Sequence, residues 1–281
     1  MILIVESGST KCNWVITGTG GIEFSFTTKG INPYFNDENF ILEQLKGVSD
    51  LDKYAGEITE IHYFGAGSTH TALSQIIISA LRKAFPNAKK INCKSDLMAA
   101  ALSTWDGQVA VVGILGTGAN AALFDGKKLT YKKPALGYIL GDEASGAYFG
   151  KQLLRAYFYG ELPPSIRQSF DETYGLTKNV AFENIYRKPS ANVYLASFMP
   201  FLIQHKDDSF IENLLRTGFS LFIKIHVLSF DRKYPLHLVG SVAHYGAAIL
   251  KEEARKAGVS ITQIRQRPID GLVTYFAGEQ E

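Results

Sequence analysis

Two apolar runs, residues 2–5 and 109–115, each stop at a turn of small residues and then resume as apolar chain. The first turn reads Glu6-Ser7-Gly8-Ser9-Thr10-Lys11 and the second Gly116-Thr117-Gly118-Ala119-Asn120. A second turn and a third strand follow in both places. Strands are expected over 12–16 and 22–27 in the first half and over 119–124 and 128–131 in the second, where Asp125-Gly126 is a hairpin signal. Helices and strands then alternate. The first half predicts helices over 39–45, 72–85 and 97–103 with strands over 60–64 and 90–93. The second predicts a helix over 143–157, more helix through Ile185, and helix over 191–228 broken near Pro200. Strands over 236–239 and 259–264 and helices over 243–257 and 270–276 complete it. A plan stated twice constrains the fold strongly: it implies a duplicated α/β architecture. The expected division is 1–105 and 106–281, with the last helix, about 269–278, able to pack back on the first domain.

Composition agrees with two ordinary cores. The chain has 281 residues, 46% hydrophobic and 20% charged, with a formal net charge of +2. Disordered and fibrous classes are excluded. Without a Lys/Arg block there is no electrostatic footprint for nucleic acid. Apolar runs stay strand-sized, far below the ~18 residues of a membrane span. The start, MILIVESGST, lacks a basic segment and a long apolar run, so a signal peptide is not expected. Cys12 and Cys93 are too few for a disulfide framework or a four-thiolate zinc site, and read as small buried hydrophobes. A soluble cytoplasmic protein is the expectation.

Several residues could carry chemistry. In the first turn, glycine lets backbone approach a ligand, and hydroxyls and N–H groups can cradle phosphate oxygens. Glu6 could hold Mg²⁺, through water or directly. Each turn could equally be a plain tight turn, but two at matching positions favour phosphate binding. Asp96, at a strand-to-helix junction, could cap the helix or serve as a general base for a substrate hydroxyl. Asp142, in Gly141-Asp142-Glu143-Ala144-Ser145-Gly146, could favour a helix start or face a sugar hydroxyl. Gly240-Ser241-Val242-Ala243 could receive part of a nucleotide on free N–H groups or be a simple turn. Asn32, in Gly30-Ile31-Asn32-Pro33-Tyr34, could bond a sugar hydroxyl. His62, His70, His205, His226, His237 and His244 show no metal spacing and read as structural or surface residues.

Together these motifs resemble the phosphate-one, phosphate-two and adenosine motifs of the actin/sugar-kinase/heat-shock-70 ATPase superfamily. Ser95-Asp96 with Ala99-Ala100, and Gly141-Asp142-Glu143, resemble the N-acetylglucosamine kinase family, which is grouped with the benzoyl-CoA-reductase-activator type ATPases. The resemblance spans residues 2 to about 276. It implies two ribonuclease-H-like domains with a nucleotide cleft between them, and transfer of the γ-phosphoryl group of ATP, with Mg²⁺, to a sugar hydroxyl. It implies Asp96 as base, Glu6 on the metal side, and Ser7, Gly8, Ser9, Thr10, Lys11, Gly116, Thr117, Gly118, Gly240, Ser241 and Val242 for ATP. Asn32, Asp96, Thr117, Asn120, Gly137, Tyr138 and Asp142 are implied for the amino sugar. Relatives often pair, so a homodimer is an expectation. The segment Gly137-Tyr138-Ile139-Leu140-Gly141-Asp142-Glu143 is shorter than the family's and lacks its Trp, while Ala144 and Ala119 replace a usual Gly and Ser. Two further readings stand beside the kinase. One is an activator-type ATPase without a sugar, which would need paired cysteines for a cluster. The other is a non-catalytic sugar or nucleotide sensor. A strand beginning at Ile2 leaves no helix-turn-helix ahead of it.

Overall fold

The computed structural model describes residues 1–68 and 71–278. His70 lies outside the described residues. The chain forms two compact units, Met1–Asp106 joined by the chain from Arg267 onward, and Gly107–Gln266.

In the first unit, β1 (Ile2–Ser7), β2 (Lys11–Gly18), β3 (Gly21–Lys29), β4 (Glu60–Gly65) and β5 (Lys90–Ser95) make a sheet of order β3-β2-β1-β4-β5. β1 and β2 pair antiparallel, and β1, β4 and β5 run parallel. Parallel strands are covered on both faces and so read as continuous apolar runs, as β1 does with Leu3, Ile4 and Val5 fully buried. Trp14 on β2 stacks on Phe26 of β3 at 5.4 Å between ring centroids. Helices Thr71–Ala84 and Glu38–Lys46 pack together. Helix Asp96–Ser103 packs against the last helix, Pro268–Gly278. There Gly271 lies so close that a Cβ would sit 2.2 Å from the Ser103 carbonyl oxygen.

The second unit repeats the sheet. β6 (Ala110–Leu115), β7 (Ala119–Phe124), β8 (Leu129–Thr130), β9 (Leu236–Val239) and β10 (Ile261–Arg265) run in the order β10-β9-β6-β7-β8. Again the first pair is antiparallel and β6, β9 and β10 are parallel. Between β8 and β9 the chain is largely helical. A core of Phe149, Phe170, Phe201, Phe219 and Phe222 joins those helices.

Three predicted helices differ from those observed. The helix expected over 143–157 begins at Gly146 and runs to Tyr159, because Asp142 and Ala144 adopt left-handed φ of 55° and 63° and Ser145 caps it. The segment over 191–228 is divided into Ala191–Ala196, Met199–Gln204 and Ser209–Phe222, followed by a π-helical turn Ile223–Val227. Pro200 lies in the first turn of its helix, where its missing N–H costs nothing, so the break precedes it. The helix over 243–257 splits into Ser241–Tyr245 and Ala247–Lys256. Gly246 at the junction leaves no room for a side chain, since a Cβ would lie 2.5 Å from the Phe219 ring.

Candidate functional site

In the first unit the candidate residues gather at the carboxyl ends of parallel strands, where open α/β sheets bind ligands. The register places Ser7 opposite Gly65 and Gly65 opposite Ser95, so the ends of β1, β4 and β5 are level. Glu6, the β1–β2 turn and Asp96 therefore share one edge.

The turn is tight: the Gly8 N–H donates to the Lys11 carbonyl at 3.0 Å. Gly30 braces it from outside. Its N–H donates to the Thr10 carbonyl at 3.0 Å, and a Cβ there would lie 2.3 Å from the Gly8 carbonyl oxygen. The Ser7 hydroxyl is fully buried and used within the fold: it accepts from the Ile31 N–H at 2.8 Å and donates to the Ile31 carbonyl at 3.1 Å. Ser9 is half-buried, and Thr10 and Lys11 are exposed. Asn32 follows directly after Ile31. Its side-chain oxygen accepts from the Tyr34 N–H at 3.1 Å, and its own N–H donates to Asn36 Oδ1 at 2.8 Å. The Ser7 bonds to Ile31 thus tie the end of β1 to the segment that carries Asn32.

Asp96 is not the helix cap. Ser95 takes that place, its hydroxyl accepting from the Met98 N–H at 3.2 Å. Asp96 Oδ1 accepts the neighbouring Leu97 N–H at 2.8 Å. Burial raises the Asp96 carboxyl above its ordinary value, against the lowering effect of that N–H. A carboxyl whose pKa moves up toward neutrality is a better proton acceptor at working pH. Glu6 accepts from Asn13 Nδ2 at 2.8 Å. Burial, with the nearby Asp96 charge, pushes the Glu6 carboxyl up to about 7, while Asn13, Lys11 and Arg267 oppose the rise. Arg267, which escaped the sequence reading, is brought there by the last helix and is paired to Asp270 at 2.8 Å.

In the second unit the Gly116 N–H donates to the Gly118 carbonyl at 3.0 Å. Here a helix N-terminus does the bracing: Gly146 and Ala147 donate their N–H groups to the carbonyls of Gly116 and Thr117, at 2.8 and 3.1 Å. Gly118 leaves space for Asp142, whose Oδ2 would lie 3.0 Å from a Cβ at that position. Asp142 accepts the Ala119 N–H, and burial raises its carboxyl. Asn120 Oδ1 accepts from the Ala121 N–H at 2.8 Å. Gly137 is exposed with φ of 71°, and Tyr138 is half-buried, its carbonyl accepting from Lys151 Nζ at 3.0 Å. At the end of β9, Gly240 has φ of 120°, and a Cβ would stand 2.3 Å from the Leu115 carbonyl oxygen. Ser241 beyond it is exposed and Val242 is buried. Gly116, Thr117, Gly118, Asn120 and Asp142 are brought together around one turn. Gly137 and Tyr138 precede that cluster, and Gly240 touches it through Leu115.

Glu6 suits Mg²⁺, which is held by one or two carboxylates together with substrate phosphates and keeps several waters. Among the described residues no group of three His, Cys, Asp or Glu could hold a metal without such help. Both cysteines are free: Cys12 is buried, and burial pushes the half-buried Cys93 thiol up to about 11. Among the described residues no helix is long and apolar enough to cross a membrane.

Two units with the same strand order, each with a tight turn at the start of its antiparallel pair, define an actin-like ATPase fold. A solved structure from Porphyromonas gingivalis, described as a candidate N-acetylglucosamine kinase, is similar over 100% of both chains, with a TM-score of 0.94 at 35% identity. A Chromobacterium violaceum protein of the same description is similar at a TM-score of 0.69 and 17% identity over 98% of each chain. A Listeria monocytogenes protein, described as a candidate N-acetylmannosamine kinase, is similar at 0.54 and 16% over 100% of this chain and 99% of that one. The last two likenesses show the fold alone. No family model and no curated protein sequence matches the chain. The chain belongs to the N-acetylglucosamine kinase-like family of the actin-like ATPase superfamily.

Proposed function

We propose that the protein is an ATP-dependent sugar kinase that phosphorylates a hydroxyl of N-acetylglucosamine or a related amino sugar. The observation that carries this reading is Asp96: a strand-end carboxylate, spared the capping role by Ser95 and raised by burial. The name of the Porphyromonas protein supports the amino sugar.

Phosphoryl transfer asks a protein mainly for positioning and charge stabilisation. Asp96 takes the proton of the acceptor hydroxyl as its oxygen bonds to the γ-phosphorus and the bond to the bridging oxygen of ADP breaks. Free N–H groups of the two glycine turns receive phosphate oxygens. Glu6 would hold Mg²⁺, directly or through water, and the ion when bound would neutralise phosphate charge. Asn32, Asn120 and Asp142 orient the sugar, and Gly240 with Ser241 receives the adenosine. In this proposal residues 1–105 and 106–281 are the functional domains, and the working form is a homodimer.

The test is ADP release with Mg-ATP across amino sugars, neutral hexoses and cell-wall sugars. Release that depends on an amino sugar is expected. Sugar-independent hydrolysis would point instead to an activator-type ATPase. Ligand-induced thermal shift with no turnover on any sugar would point to a sensor.

A further inference from the structure

The loop before helix Gly146–Tyr159 is costly to hold. Asp142 and Ala144, neither a glycine, both adopt left-handed φ. Such conformations persist only where the surroundings over-determine them. Backbone bonds fix part of the shape: the Ser145 N–H donates to the Asp142 carbonyl at 3.0 Å, and Gly141 N–H to the Gly137 carbonyl at 2.8 Å. Glu143, between the two strained residues, is held by its side chain. Its Oε2 lies 2.9 Å from Nε2 of His226, a residue 83 positions later.

His226 is buried, 7% exposed. It sits on the π-helical turn Ile223–Val227, where the long helix Ser209–Phe222 changes its winding. π-helical turns of this kind recur at functional sites. The turn packs on β7, the strand that carries Ala119 and Asn120. The Ser229 hydroxyl donates to the His226 main-chain carbonyl at 2.6 Å, and the Phe222 ring lies 5.4 Å from the imidazole. His226 and Asp142 are near enough for their charges to interact, although no direct bond joins them.

We propose that His226 is a positioning residue for sugar recognition. Through Glu143 it clamps the strained Gly141–Ser145 segment and thereby sets where Asp142 stands against the β6–β7 turn. The role in recognition rests on the amino-sugar kinase reading; the clamp does not.

The experiment compares wild type, His226→Asn and Glu143→Gln as full chains, using amide hydrogen exchange and steady-state kinetics. Glu143 is half-buried, so its variant keeps the test sound should loss of the buried imidazole impair folding. Exchange is expected to quicken over residues 137–145, with other segments, the Gly116–Gly118 turn among them, unchanged. The KM for the amino sugar is expected to rise about tenfold or more, since misplacement of ~1 Å can cost about 10²-fold. The KM for ATP should stay within about twofold, because these side chains do not belong to the phosphate turns. The double variant should be no worse than the worse single one, as for partners in one contact. Unchanged exchange in the segment overturns the clamp. Faster exchange with an unchanged sugar KM overturns the recognition role and leaves a structural contact. A wild type inactive on every sugar overturns the kinase reading instead, and the exchange result still decides the clamp.

Discussion

The two units use one sheet plan and brace the same turn in different ways. In the first, the β1–β2 turn is held from the side by Gly30, and the Ser7 hydroxyl ties the strand end to Ile31. In the second, the β6–β7 turn is held from behind by the first N–H groups of helix Gly146–Tyr159. Their acids differ too. The first unit carries Glu6 and Asp96 at strand ends, both raised by burial. The second ends its strand on Gly116 and brings Asp142 from a strained loop. Duplicated topology thus fixes where a turn lies, while the bracing decides which chemistry stands beside it. Under the proposed function the first unit holds the proton acceptor and the second holds part of the sugar.

The sharpest test of that asymmetry is Asp96→Asn. Turnover should fall about 10²–10⁴-fold, the usual worth of a general base. Nucleotide affinity, read by calorimetry, should change little. Asp142→Asn should instead act mainly on the sugar KM, and equal loss of kcat in both variants would erase the distinction.

Next in size are the braces. Gly30→Ala puts a Cβ into backbone, 2.3 Å from the Gly8 carbonyl. Gly118→Ala meets the far end of a side chain, 3.0 Å from Asp142 Oδ2. Overpacking costs about 1–3 kcal/mol, and the first variant should stand at the upper end and the second at the lower, measured by denaturant unfolding. Ser7→Ala leaves the Ile31 N–H without its buried partner and should cost about 1–3 kcal/mol.

The last effect depends on pH and vanishes in acid. The Glu6 carboxyl is raised from 4.5 to about 7 in the folded chain. The folded state therefore binds the proton more tightly than the unfolded one, and stability falls as pH rises from about 4.5 to 7. A shift of that size corresponds to at most ~3 kcal/mol. Without Mg²⁺ and nucleotide, Glu6→Gln should be more stable than wild type at pH 8 and equal to it at pH 4. A Tm difference that does not change between pH 4 and pH 8 would mean that folding does not raise the Glu6 carboxyl.

Both turns were legible in the sequence because glycine, serine and threonine between apolar runs are local signals. The duplicated plan was legible in the repeat, while the order of strands in each sheet depends on long-range pairing that the sequence does not display. Asp96 stands out as a candidate in the sequence, but the choice between Ser95 and Asp96 as helix cap does not, because neighbouring serine and aspartate are both good caps. Left-handed Ala144 has no local signature, since alanine reaches such a conformation only where tertiary contacts hold it, so the helix expected from residue 143 starts at Gly146 instead. His226 was read as structural or surface, and lone histidines look alike until Glu143 is seen beside one of them. Arg267 could not be placed near Glu6 from spacing, because the two lie at opposite ends of the chain.

The last helix has a bearing on how the protein is made. Pro268–Gly278 packs on Asp96–Ser103, with Gly271 against Ser103, and the whole second unit lies between them in sequence. Domains generally fold as units as they leave the ribosome. A growing chain therefore has everything required for its second unit before it has everything required for its first. Until residue 278 emerges, the apolar flank of the helix that bears Asp96 is without its cover. Synthesis order thus runs against domain order, and the helix carrying the proposed base is among the last parts to be secured.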